Sequence, residues 1–442
     1  MFQTLRNAWK IEDLRKKILF TFFILLIFRI GSAITVPFVD INVMKEAVAG
    51  NTNDFLNNMM MLSGGGFSNA SIFALSITPY INASIIIQLL TVAIPYLEQL
   101  AKDGESGRKR LGQITRYTTV ALGLMLGVAY YFMVRNQYGA IVSEAKSGFA
   151  AWFAAIVIVL CFTAGSALMM WLGEQINDKG IGNGISMLLF AGILSRIPVG
   201  GQYLWAYFYE MGIKQIQQGQ TAGIGNILLV VLVLILFLAM IGFIVFMGDA
   251  ERRIPVQYAK KVVGRKMYGG QNTYIPIKVN MSGVMPIILA VSILSLPSII
   301  GSFLGAAKTN NWFFNAFKQD SWVYIILYFL MIIGFSYFYV TIQYNATEMA
   351  NNLRKNGGAI PGQRPGKPTA DFIKRVLNKV TFIGALFLGV VALFPSIFGK
   401  VSGFTGLTIG GTSVMIVVGV ALETVQQMES QMMMRHYKGF LD

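Results

Sequence analysis

Across 442 residues the chain offers one histidine, His436 in the C-terminal tail, and one cysteine, Cys161 in the middle of an apolar run. Structural zinc and haem sites draw on several such ligands, so this supply argues against both, and no cofactor is called for. A lone cysteine cannot form an intrachain disulfide and reads as a small buried hydrophobe. The apolar stretches contain no histidine and almost no carboxylate, and Glu423 reads as a residue at the cytosolic end of a helix. Nothing is left for a Ser-His pair or for two carboxylates acting as acid and base, so catalysis is not expected. Arg29 is the ionisable group set inside an apolar run, and its expected role is structural, paired with a carbonyl or a polar side chain.

The residues that could act are aliphatic, uncharged polar or basic. Ile77, Ile81, Ile288 and Ile416 stand in segments that also carry proline or glycine, which bend helices or let them approach closely. Each alone fits ordinary packing. Together, stiff β-branched side chains at a constriction would exclude water and ions by dewetting, yet yield to a bulky cargo such as an extended polypeptide. Asn82, Gln88 and Asn280 fall at or near helices that would face one another, and suit either interhelical hydrogen-bond glue or a gate.

The elements that must position these groups are membrane helices. Hydrophobic residues make up 55% of the chain and charged residues 13%, about half the ~25% of soluble domains. Runs of roughly 20 apolar residues cross ~30 Å of hydrocarbon. Ten are expected, near 18–36, 73–96, 117–134, 152–172, 185–209, 227–247, 284–304, 322–343, 380–398 and 409–425, which makes an all-α polytopic membrane protein. The fifth is interrupted by Arg196, Pro198 and Gly200. The first follows a basic N-terminus as a signal peptide would, but reads as an uncleaved helix because further spans follow. With that N-terminus cytosolic, 27 of the 36 Lys and Arg fall on cytosolic segments, so both termini are expected there. Ten spans divide into halves 1–212 and 213–442 of opposite orientation, with a site between them. An ion-coupled secondary transporter of a small solute would share that layout, but lacks here the charged midplane group it needs.

The second span begins unusually. Leu62, Ser63, Gly64, Gly65, Gly66 and Phe67 open a polar, flexible stretch; Ser68, Asn69 and Ser71 offer helix caps, and Pro79 is expected inside the helix that follows. A broken half-span is tolerated only where its backbone is buried in protein or lines a cavity, so a pore or substrate cavity is expected. Two large cytosolic loops complete the picture. Residues 248–282 alternate apolar and polar over 253–258 and 273–279, as hairpin strands do, and 345–379 carry a tip rich in Gly and Pro. Each holds seven basic and two acidic residues, an excess that topology and anionic lipids explain only in part.

FALSITPYINASIIIQLLTV (73–92), WLGEQINDKGIGNGISMLLFAGI (171–193), YAKKVVGRKMYGGQNTYIPIKVNMSGVMP (258–286), AIPGQRPG (359–366) and IGGTSVMIVV (409–418) closely resemble the SecY family, the channel-forming subunits of bacterial Sec protein translocons. The resemblance extends over essentially the whole chain. It implies a clamshell of two five-helix halves around a protein-conducting channel in the bacterial cytoplasmic membrane, with a lateral gate between spans 2 and 3 and spans 7 and 8. It implies a short plug helix at about 55–69, and a pore ring of Ile77, Ile81, Ile185, Leu189, Ile288 and Ile416, where Leu189 replaces a common isoleucine. The two loops would dock the ATPase SecA and the ribosome through Arg364 and through Arg252, Arg253 and Arg265. SecE and SecG would be partner subunits, and signal peptides and unfolded precursors the cargo.

Overall fold

The computed structural model describes residues 2–49, 60, 63–136, 138–142, 148–217, 222–258, 261–263, 266–268, 272–304, 312–317, 321–402 and 411–438. Helices dominate it. Those of eight residues or more are, in chain order, α1 (Phe2–Lys10), α2 (Glu12–Gly31), α3 (Ile41–Ala49), α4 (Thr78–Ala93), α5 (Pro95–Lys102), α6 (Gly104–Asn136), α7 (Gly148–Lys179), α8 (Gly184–Leu194) and α9 (Ile197–Tyr207). There follow α10 (Ala222–Asp249), α11 (Met285–Leu304), α12 (Trp322–Gln343), α13 (Ala346–Lys355), α14 (Lys367–Ser402) and α15 (Gly411–Lys438).

Each of the ten expected spans overlies a helix. Among the described residues six helices are long and apolar enough to cross a bilayer by themselves, or seven when α4 and α5 count as one bent span. The shortfall has visible causes. Basic residues crowd α2 at Arg15, Lys16, Lys17 and Arg29, α15 turns polar from Glu423, and the apolar helix counted within α11 is only Met285–Ser295.

The second span departs most from expectation. Its helix starts at Thr78 rather than near residue 73, and residues 72–77 form turns. Pro79 is therefore in the first turn, where its missing N–H costs nothing, and does not kink a helix interior. The N-cap is Ile77, with no side-chain cap bond, instead of Ser68, Asn69 or Ser71; Ser71 pairs with Thr35 in an isolated bridge. Proline also ends the helix. Pro95 follows Ile94, whose extended backbone turns the chain by 103° from α4 into α5. Pro286 likewise stands in the first turn of α11, whereas Pro297 is internal. The fifth span breaks where expected, between α8 and α9, with Pro198 in the first turn of the second piece.

Two apolar cores organise the helices. Phe67, Tyr130, Ile158 and Phe162 anchor one around α6 and α7, and Ile287, Leu294, Tyr328, Ile332 and Leu388 anchor the other around α11, α12 and α14. On α10 the outward side chains Leu228, Ile235, Leu238 and Phe246 are apolar and exposed, as a helix facing hydrocarbon requires.

Outside the helices, β1 (Glu251–Tyr258) pairs antiparallel with β4 (Asn272–Lys278), with Ile254 opposite Ile275. Between them β2 (Lys261–Val263) and β3 (Lys266–Tyr268) form a second small ladder. The hairpin read from alternation is thus present. A third strand was not foreseen: β5 (Gly358–Ala359), from the other basic loop, adds to β1 through Gln257 opposite Ala359 and Tyr258 opposite Gly358. Ile254, Val256 and Ile277 bury their inner faces against Leu353, Ile360 and Ile373, so both loops share one core.

Candidate functional site

All six aliphatic residues singled out for a constriction fall in one cluster. Ile77, Ile81, Leu189 and Ile416 are buried in it, and Ile185 and Ile288 are half-buried against it. They come from the start of α4 and from α8, α11 and α15. The first turn of α4 is fixed by the Ile81 N–H donating to the Ile77 carbonyl at 3.1 Å. Asn183 caps α8, its Oδ1 accepting from the N–H groups of Ile185 and Ser186, and the Gly184 N–H donates to Asn177 Oδ1 at 2.7 Å. Gly184 is needed here because a Cβ would drive into the Gly173 carbonyl of α7. Phe73, Met169, Leu172, Ile176 and Val420 belong to the same cluster, so the six residues are surrounded by hydrocarbon.

The segment before α4 is held against this cluster. Its described residues 63–70 are consecutive turns; Leu62, with 55–59 and 61, lies outside the described residues. Gly64 and Gly65 have φ of +62° and +88°, a left-handed region that favours glycine and stops a helix. The Gly64 carbonyl accepts from Arg29 Nη1 at 2.9 Å and from Ser195 Oγ at 3.4 Å. The side chain of Arg29 is exposed overall, yet its guanidinium pairs with a carbonyl, the class of partner expected of a charge in an apolar span. Ser63 accepts from the Phe67 N–H at 3.0 Å, and the Gly66 N–H donates to the Ser63 carbonyl. Phe67 meets Tyr130 edge-on at 4.6 Å, and its carbonyl accepts from the Tyr130 hydroxyl at 2.7 Å. Helices α2 and α6 and the C-cap of α8 thus all bond to one short stretch.

The three uncharged polar residues separate in role. Gln88 Oε1 accepts from the Tyr339 hydroxyl at 2.8 Å, joining α4 to α12. Asn280 Oδ1 is buried and has no hydrogen-bond partner among the described residues. That oxygen makes no interhelical hydrogen bond among the described residues, and leaving it unpaired costs about 1–3 kcal/mol. Asn82 is half-buried on α4. Sequence reasoning missed Tyr339, although a tyrosine in an apolar helix signals a hydroxyl in need of a partner.

On the basic loops, Arg252, Arg253 and Arg364 are exposed, and Arg265 lies outside the described residues. Arg253 is committed locally: its Nε bonds Glu251 Oε1 at 2.6 Å and its guanidinium lies 4.8 Å from the Tyr274 ring centre. The Glu251 hydrogen bond, then the Tyr274 and Glu251 charges, push its pKa above the ordinary arginine value. Arg364 differs. Its tip is shaped by Gly362 and Gly366 at φ of +80° and +106°, and its carbonyl accepts from Thr369 Oγ1 at 2.8 Å, which ties the tip to α14. Its side chain points into solvent with no partner among the described residues.

Six or seven apolar helices, a second span that begins in turns and an aliphatic cluster between helices define a multi-pass helical membrane protein. The SecY family model matches residues 71–425. The protein translocase subunit SecY of Streptomyces coelicolor is 44% identical over 455 residues, an alignment that covers all of both chains. This chain belongs to the SecY family. Solved structures share its fold: a SecY protein whose plug domain is described as stabilising the closed state of the translocation channel gives a TM-score of 0.63 at 19% identity, covering 94% of this chain and 92% of that one. Sec61 in the canine ribosome–channel complex from the endoplasmic reticulum gives 0.59 at 17%, covering the same shares.

Proposed function

We propose that the chain is the protein-conducting channel of a bacterial Sec translocon, passing unfolded precursors across the plasma membrane and releasing hydrophobic segments sideways into lipid. The convergence of Ile77, Ile81, Ile185, Leu189, Ile288 and Ile416 in one apolar cluster supports this reading most directly. Such a ring seals against ions without binding anything, as dewetting requires. Residues 63–69 act as the plug in the closed state, held by Arg29, Ser195 and Tyr130. Halves 1–212 and 213–442 part between α4 and α12, where the bond from Tyr339 to Gln88 must break for a signal peptide to enter. Asn82 and the unpaired Asn280 would then meet the incoming segment.

The chain performs no chemistry; work comes from SecA or from the translating ribosome. Arg252, Arg253, Arg265 and Arg364 form the docking face, and lysines and arginines on loops suit a phosphate-rich ribosome without reading sequence. Both termini lie in the cytosol, SecE and SecG are companion subunits, and anionic lipids meet the basic margin. A solute transporter would require a charged midplane site, whereas the one charge in the first span is occupied by the Gly64 carbonyl.

A photo-crosslinker at Ile81, with a precursor stalled partway by a folded C-terminal domain, tests the polypeptide path. A crosslink that depends on SecA and ATP is expected. Vesicles that translocate but give no crosslink would overturn the assignment.

A further inference from the structure

The cytosolic end of α15 carries polar side chains that reach in opposite directions. Gln426 Oε1 accepts from Lys278 Nζ at 2.7 Å, at the end of β4, and its Nε2 donates to Asp249 Oδ1 at 3.2 Å, at the end of α10. These two partners flank the base of the hairpin, which is clamped by the Val279 N–H donating to the Ala250 carbonyl at 2.9 Å. Gln427 is one residue further, hence about 100° round the helix, and accepts from the Gly182 N–H at 2.8 Å. Thr424 and Gln431 share that second face at i–3 and i+4. Thr424 Oγ1 lies 3.6 Å from Met187 Sδ, and Gln431 accepts from Lys17 Nζ at 3.2 Å. Gly182 adopts φ +89°, and a Cβ there would stand 3.2 Å from Thr424 Oγ1, so the turn is fitted to α15. The next residue, Asn183, caps α8 two residues before Ile185.

We propose that Gln426 and Gln427 form a polar strap through which the base of the β1–β4 hairpin positions the start of α8, and with it Ile185 and Leu189. Both are positioning residues. A rigid helix grips the hairpin with one glutamine and the α8 turn with the next. A displacement at Lys278 and Asp249 is carried to Gly182, whose N–H follows or loses its acceptor. The strap rests on the channel reading only for its purpose, which would be to let an occupied docking face adjust the ring.

The test is a mutant cycle in the full chain reconstituted in vesicles, with Cys161→Ser and a reporter thiol from Ile185→Cys. The rate of labelling by a water-soluble thiol reagent is read. Lys278→Ala and Gln427→Ala should each raise the rate by about threefold, and together by no more than the larger single effect, because they cut one strap. Gln427→Glu keeps an acceptor for Gly182 and should restore the parent rate, which a general loss of folding would not allow. Multiplied effects in the double variant, or no effect from either single change, would overturn the strap. If the cycle couples while the Ile81 crosslink fails, the strap stands and the channel reading falls.

Discussion

The aliphatic cluster and the basic loops are built on opposite principles. In the cluster every member of the proposed ring is an uncharged hydrocarbon packed among its neighbours, and a surface of this kind presents nothing to water. On the basic loops Arg252, Arg253 and Arg364 are exposed, and what distinguishes one arginine from the next is whether a neighbour already occupies it. Arg253 has Glu251 and Tyr274; Arg364 has neither and rides on a tip tied to α14. A change in the cluster should therefore act by adding a polar atom. One on the loops should act in proportion to how free the charge was.

Arg364→Glu gives the widest separation. It should abolish SecA-driven export in vesicles while leaving expression and SecE association intact; surviving export would reduce Arg364 to a topological charge. Ile81→Asn comes next. A buried amide without partners weakens the closed state by about 1–3 kcal/mol, so precursors with defective signal sequences should be exported. Unchanged signal stringency would count against the ring. Tyr339→Phe deletes one neutral hydrogen bond, about 0.5–1.5 kcal/mol, and should ease crosslinking of a signal peptide to α4 by a few-fold at most. Arg253→Ala sharpens the contrast from below. Because its charge is spent on an exposed local pair, SecA-driven export should fall by less than about twofold, in keeping with the small worth of surface pairs. A loss as deep as that of Arg364→Glu would erase the distinction between the two arginines.

Much of this was legible because two periods dominate the chain. Long apolar runs placed the helices, and alternation over 253–258 and 273–279 placed the paired strands β1 and β4. The partner of Arg29 could be read by class, since a charge in an apolar span must find a carbonyl or a polar group. What stayed hidden depends on where the chain turns. Pro79 in an apolar run gives no sign whether it bends a helix or begins one, and the turns at 72–77 are no less apolar than the helix after them. The Gln88–Tyr339 contact spans 251 positions and the β1–β5 pairing about a hundred, and neither leaves a periodic trace.

That two-residue pairing has a practical consequence. Since Gln257 and Tyr258 share a backbone ladder with Gly358 and Ala359, the two basic loops cannot be treated as separate cassettes. A chimera that takes one loop from a relative would set a foreign edge against a native one. Loop transplants should carry 251–278 together with the segment around 358–366, and an epitope tag placed in either loop should be tolerated best away from the shared ladder.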